Sequence, residues 1–121
     1  MKSKSTKEVG KLGESLAVVH LKKNDYEIIE TNFRAGRGEI EIIARKDNIL
    51  AFIEVKTKKF GDFGDPIHWV TRSKQRQIGR IAQAYLLKTG IDDVDFRFDV
   101  ITVTWHEGTW KIKHIENAFW L

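Results

Sequence analysis

Two segments, residues 38–44 (GEIEIIA) and 52–56 (FIEVK), constrain this chain most, because each sets ionisable side chains into an apolar run with strand-like alternation. Arg45-Lys46-Asp47-Asn48 between them is polar and turn-forming, so they read as a β-hairpin centred between Asp47 and Asn48. Cross-strand partners then have numbers summing to 95, which puts Glu41 opposite Glu54 and Glu39 opposite Lys56. Strand side chains alternate with period two, so all four are expected on one face. Opposed carboxylates destabilise a hairpin unless one is protonated or a cation bridges them. Ile43, Leu50 and Phe52 share that face, so it is expected to be at least partly buried. The competing outcome in this register is an ordinary Glu39–Lys56 ion pair, worth about 0–1 kcal/mol. A three-residue loop would instead set Ile53 opposite Glu41 and remove the clash.

The 121 residues suit one domain, residues 1–121, with a real core. With 41% hydrophobic and 31% charged residues, the composition excludes a disordered tail or a membrane span. The absence of cysteine removes disulfides, thiolate nucleophiles and cysteine-ligated zinc. The basic start, Met1 to Lys7, lacks the apolar block of a secretory signal, and a cytoplasmic protein is expected. Residues 56–80 hold seven cations and two acids, a local +5, while the rest of the chain sums to −1. Charge concentrated in this way suits a polyanion such as nucleic acid, or else a solvated loop and helix face.

Ser5-Thr6-Lys7-Glu8 has capping-box spacing, and Val9, Leu12, Leu16 and Val19 recur at three and four residues, predicting a helix over 6–22. Gly10, Gly13 and Ala17 form a small-residue strip suited to close packing on a sheet, with Glu14 at its margin. A strand is expected over 26–33. Residues 34–38 (RAGRG) form a basic, glycine-rich connection that could approach phosphate, and 57–70 is the longest irregular stretch. Thr71 or Ser73 caps a second helix to about Lys88, with Ile78, Ile81, Ala82 and Tyr85 on its core face and Gly90 ending it. Arg76 and Arg80 lie on its opposite face, and Lys74 and Gln75 in its first turn, where the helix N-terminus could meet phosphate. Strands over 96–105 and 110–115 complete the expected α/β order αβββαββ. The four histidines show no metal spacing, and the four tryptophans are assigned to packing.

Hydrolysis of a phosphodiester needs a clamp on the phosphate, an activated water and a stabilised leaving oxygen, which divalent ions held by carboxylates can supply. Glu41 and Glu54 provide the hard oxygens that Mg²⁺ prefers, and the Val55 carbonyl could add another. Lys56 stands beside them, where it could orient or deprotonate water or neutralise developing charge.

The Glu54-Val55-Lys56 motif after Glu41, in this order of elements, resembles the PD-(D/E)XK nuclease superfamily. Together with Gly13-Glu14, Asn32-Phe33-Arg34, residues 38–44, Lys74, Ala82, Tyr85-Leu86 and Arg97-Phe98-Asp99-Val100, the chain resembles the YraN-like family of uncharacterised bacterial proteins. The resemblance implies a restriction endonuclease-like fold, a central mixed sheet with flanking helices, related to Holliday-junction resolvases. It further implies a Mg²⁺- or Mn²⁺-dependent endonuclease acting on DNA, branched or damaged DNA included, and it is compatible with a homodimer. By motif position, Glu41 and Glu54 carry over as metal ligands, Lys56 as the catalytic lysine and Glu14 as an acid near the metal. Arg37, Lys58, Lys74, Gln75, Arg76 and Arg80 are the expected nucleic-acid contacts. The family usually has aspartate where this chain has Glu41, which keeps the charge and lengthens the reach. A module of the same fold that binds nucleic acid without cleaving it is the alternative.

Overall fold

In the computed structural model, which describes residues 6–59 and 68–120, the first amphipathic segment winds into helix α1 (Thr6–Lys23). Its buried stripe runs through Val9, Gly13, Ala17 and Leu21, so the small residues face the sheet while Val19 is turned to solvent. Close approach sets this orientation: a Cβ on Gly13 would come within 1.8 Å of the Thr57 hydroxyl oxygen. Gly10, also expected in the strip, has open space where a Cβ would stand. The capping box rests on Ser5, which lies outside the described residues.

Three strands follow, β1 (Glu27–Ala35), β2 (Gly38–Lys46) and β3 (Ile49–Lys58), joined by two-residue connections. The basic connection expected over 34–38 shrinks to Gly36-Arg37, with Gly36 at φ 60°, because residues 34, 35 and 38 pair in the ladder. Thr57 and Lys58, expected in a loop, extend β3 and pair with Val103 and Thr104; residues 60–67 of that expected loop lie outside the described residues. Helix α2 (Arg72–Thr89) is capped by Thr71, whose side chain accepts from the Lys74 amide, and closed by Gly90 at φ 71°. Strand β4 (Asp95–His106) then pairs parallel to β3, and β5 (Thr109–Phe119) returns antiparallel. β5 continues past residue 115 through a register shift that lets Phe119 stack on Phe98 at 5.2 Å.

The sheet order is β1-β2-β3-β4-β5, antiparallel except for β3–β4, whose parallel pairing requires the crossover through α2. This is the αβββαββ, restriction endonuclease-like arrangement. One face packs under α2 through Ile43, Leu50, Phe52, Ile78, Ile81 and Tyr85, the other under α1 through Leu21, Ile42, Ala44, Ile53 and Ile101. Both faces being covered explains the nearly continuous burial of β3 from Leu50 to Val55. Among the described residues, no helix is long and apolar enough to cross a membrane.

Candidate functional site

Strands β2 and β3 pair in the expected register, Ile42 with Ile53 and Lys46 with Ile49, so partner numbers sum to 95. The ladder stops at Ile42–Ile53, leaving Glu41 and Glu54 at the point where the strands separate. The expectation that Glu39, Glu41, Glu54 and Lys56 share one face fails at this point. A Cβ on Gly38 would point at Gln77 and Ile81 of α2, and Ile40 packs in the α2-side core beside Ile43, although strict alternation from Ile42 would send it to the α1 side. Alternation in β2 therefore slips at Glu41, and Glu39 turns toward α1, away from Lys56.

The slip decides the partner of Lys56. Its Nζ lies 3.5 Å from Glu54 Oε1, while Glu39 Oε2 pairs at 3.4 Å with Arg34, whose side chain is 79% exposed. The Glu39–Lys56 pair is not formed. Glu54 is 3% exposed, yet the Oε2 atoms of Glu54, Glu41 and Glu39 are buried without a hydrogen bond. Burial, a hydrogen bond donated to Glu54 and repulsion from that carboxylate push the Glu41 carboxyl up to about 10, with Lys74 pulling the other way. Glu14 of α1 closes the far side of a cavity of about 250 Å³ that Glu41, Thr31 and Asn32 also line. Desolvation raises its carboxyl above the ordinary value; an Asn32 hydrogen bond opposes this, and the charges of Glu39 and Glu54 reinforce it.

Two facing carboxylates with orphaned, buried oxygens are a donor set suited to a hard divalent cation, which commonly keeps several waters and takes one or two protein carboxylates. Among the described residues no group of three or more His, Cys, Asp or Glu side chains is placed to hold a metal, so Glu14 is not a third member of such a group. Val55 is buried and paired in the ladder with Ile101, past the last β2 partner of β3.

The six expected nucleic-acid contacts fall in separate places. Arg37 and Lys74 line one cleft with Gly38, Glu39 and Gln77, beside the carboxylates. Arg76 and Arg80 line another, on the side of α2 facing β4 and β5. Lys58 sits over the Trp69 ring at 4.8 Å. The Gln75 amide nitrogen donates to the Val70 carbonyl, its oxygen accepts from Arg72, and the Lys74 amide is taken by the Thr71 cap.

Two features had no role assigned from sequence. Asn32 adopts φ 53° where β1 passes Glu41, a conformation asparagine tolerates better than most residues, and thereby reaches Glu14. Asp99 is wholly buried and bonded by Arg97, His114 and the Asn117 amide. The sequence signal for it was an aspartate between Phe98 and Val100 in an apolar strand.

A family model described as "Uncharacterised protein family UPF0102" matches residues 13–103. A UPF0102 protein of Alkaliphilus oremlandii is 47% identical over 115 residues, covering 93% of this chain and 98% of the relative. One from Geobacter metallireducens is 46% identical over 113 residues, covering 93% of both chains. A third, from Chlorobium chlorochromatii, is 42% identical over 123 residues, covering 97% and 95%.

Proposed function

From a chain that belongs to the uncharacterised protein family UPF0102, whose description assigns no reaction, we propose a divalent-metal-dependent endonuclease that hydrolyses phosphodiester bonds in DNA. The observation that carries this reading is the Glu41–Glu54 pair: a half-buried and a buried carboxylate, facing where the strands part, each with one buried, orphaned oxygen, and the Lys56 ammonium at 3.5 Å from Glu54. In this reading Glu41 and Glu54, with the Val55 carbonyl, hold Mg²⁺ or Mn²⁺. When bound, the ion supplies Lewis-acid stabilisation of charge on a phosphoryl oxygen.

The remaining chemistry belongs to the chain itself. Lys56, held by Glu54, presents a positive donor to the phosphate or to the attacking water. Arg37 and Lys74, in the cleft beside the carboxylates, take flanking phosphates and fix the backbone in register. Glu14 keeps the metal side polar through Asn32 without being a ligand in the described geometry. Branched DNA such as a four-way junction fits the resemblance to resolvases, and cutting it at two positions requires two copies of the chain.

One observation favours the alternative, a nucleic-acid-binding module without catalysis: the described side chains offer two facing carboxylates and no third ligand. The two readings separate in one assay. Supercoiled plasmid and a synthetic four-way junction are expected to be cut with Mg²⁺ or Mn²⁺ and left intact in EDTA. Glu54→Gln and Lys56→Ala should each lower the rate on the order of 10²–10³-fold. Undiminished cleavage by Lys56→Ala at matched purity sinks the hydrolase; salt-dependent DNA binding with no metal-dependent cutting supports the module.

A further inference from the structure

Helix α2 covers only part of its sheet face. Gln77 and Ile81 lie over Gly38 of β2, and the Tyr85 ring packs edge-on against Phe33 and Phe52, so the helix sits above β1 to β3. On its other side a cleft of about 550 Å³ opens over β4 and β5. That volume lies within the roughly 300–1,000 Å³ of small-molecule sites. Phe98 and Phe119 form its floor, their rings stacked at 5.2 Å and 16° between planes. Phe96 and Trp120 stand at its edge, 52% and 73% exposed. Arg72 donates to the Trp120 carbonyl at 3.0 Å, fixing that backbone against the helix.

The wall above these rings is cationic. Arg76 and Arg80, one helical turn apart and both exposed, line the cleft, and α2 contains five cations and no acid. A purely apolar cleft would suit a second copy of the chain. Flat, exposed rings beneath two guanidinium groups instead match a ligand that alternates planar apolar faces with negative charge. We propose that this cleft seats unpaired bases of a nucleic-acid strand, stacked against Phe96 and Trp120, with Arg76 and Arg80 on the adjoining phosphates. The inference rests on the nucleic-acid part of the function proposed above and not on hydrolysis. It gives the protein a single-stranded subsite on the far side of α2 from Glu41 and Glu54, suited to a substrate in which duplex and unpaired segments meet.

The test is binding in EDTA, where cleavage plays no part. A fluorescein-labelled oligothymidylate of about a dozen nucleotides, within the range such sites cover, is compared by anisotropy with a blunt duplex of equal length. Wild type should bind the single strand tighter than the duplex. Phe96→Ala and Trp120→Ala should each weaken single-strand binding about tenfold and leave duplex binding unchanged. Arg76→Ala combined with Arg80→Ala should lower the slope of log affinity against log salt by about 1.4. Trp120 is largely exposed, so its replacement leaves the core intact, and indole fluorescence quenched by the oligonucleotide in wild type should lose its Trp120 component. Equal single-strand affinity in wild type and both aromatic variants overturns the subsite. So does sedimentation showing a dimer that Phe96→Ala dissociates and the oligonucleotide does not. Single-strand binding without cleavage retains the subsite and removes the hydrolase; cleavage with indifferent aromatic variants does the reverse.

Discussion

One sheet holds two buried carboxylate sites resolved in opposite ways. Asp99 of β4 is wholly buried and satisfied from within: Arg97 Nε and Nη2 donate at 2.9 and 3.1 Å, His114 Nε2 lies at 2.7 Å, and the Asn117 amide donates at 2.9 Å. Burial pushes its carboxyl up, and the bonds from His114, Arg97 and Asn117 outweigh that and hold it below the ordinary aspartate value. Arg97 in turn donates to Tyr26, which donates to Glu116. At the mouth of the β2–β3 pair, Glu41 and Glu54 have each other, one lysine and two orphaned oxygens. A buried carboxylate that the chain itself satisfies is architecture, tying the α1–β1 connection at Tyr26 to β4 and β5. One that the chain leaves unsatisfied is stable only with a proton or with a cation from outside.

The largest effect that sharpens this contrast comes from Asp99. Asp99→Ala leaves Arg97 and His114 half-buried without their carboxylate, and removing one member of such a network costs about 3–5 kcal/mol. Urea denaturation at neutral pH should show the midpoint falling accordingly, with metal making no difference. A loss below about 1 kcal/mol would mean that the network is not the tie described.

The site and its scaffold were unequally legible in the sequence. The two-residue loop at Asp47-Asn48 fixed the register of β2 and β3 because only local turn chemistry and strand alternation enter it. The caps of α2 were readable for the same reason: Thr71 and Gly90 act on their own helix. The slip at Glu41 was not, because GEIEII shows unbroken alternation up to Ile42 and the orientation of Ile40 depends on where α2 lands. The Asp99 network was hidden by distance along the chain. Its partners come from 15 and 18 residues later, and Tyr26 lies 71 residues before Arg97, so no window of sequence holds them together.

A smaller effect of opposite sign is expected at the other site. Glu41→Gln keeps a donor to Glu54 without the proton that wild type must take up on folding at neutral pH, so in EDTA the variant should be more stable than wild type by about 1–3 kcal/mol. Mg²⁺ should narrow the gap by stabilising wild type, about 2.7 kcal/mol at a hundredfold excess over its dissociation constant, and should leave the variant nearly unchanged. Thermal denaturation with and without the ion checks both halves. A Glu41→Gln protein less stable than wild type in EDTA would show that the pair is already reconciled and needs nothing from outside.

The last and smallest contrast is in pH dependence, where the two sites act at opposite ends. The Asp99 carboxyl lies below its unfolded value, so its contribution is present above about pH 4 and is lost as pH falls through the folded value. Glu41 is displaced upward. Between its ordinary value of 4.5 and about 10 the folded state binds the proton that the unfolded state has released, so its contribution is largest in acid and declines as pH rises. Metal-free wild type should therefore lose stability from pH 5 to pH 9 more steeply than Glu41→Gln, by at most about 1.4 kcal/mol per pH unit, the limit for one proton. Asp99→Asn should leave that neutral-to-alkaline slope unchanged and flatten only the acid limb. Denaturation midpoints from pH 3 to pH 9 for the three proteins separate the limbs, and parallel curves for wild type and Glu41→Gln above pH 5 would place the unsatisfied charge somewhere other than this pair.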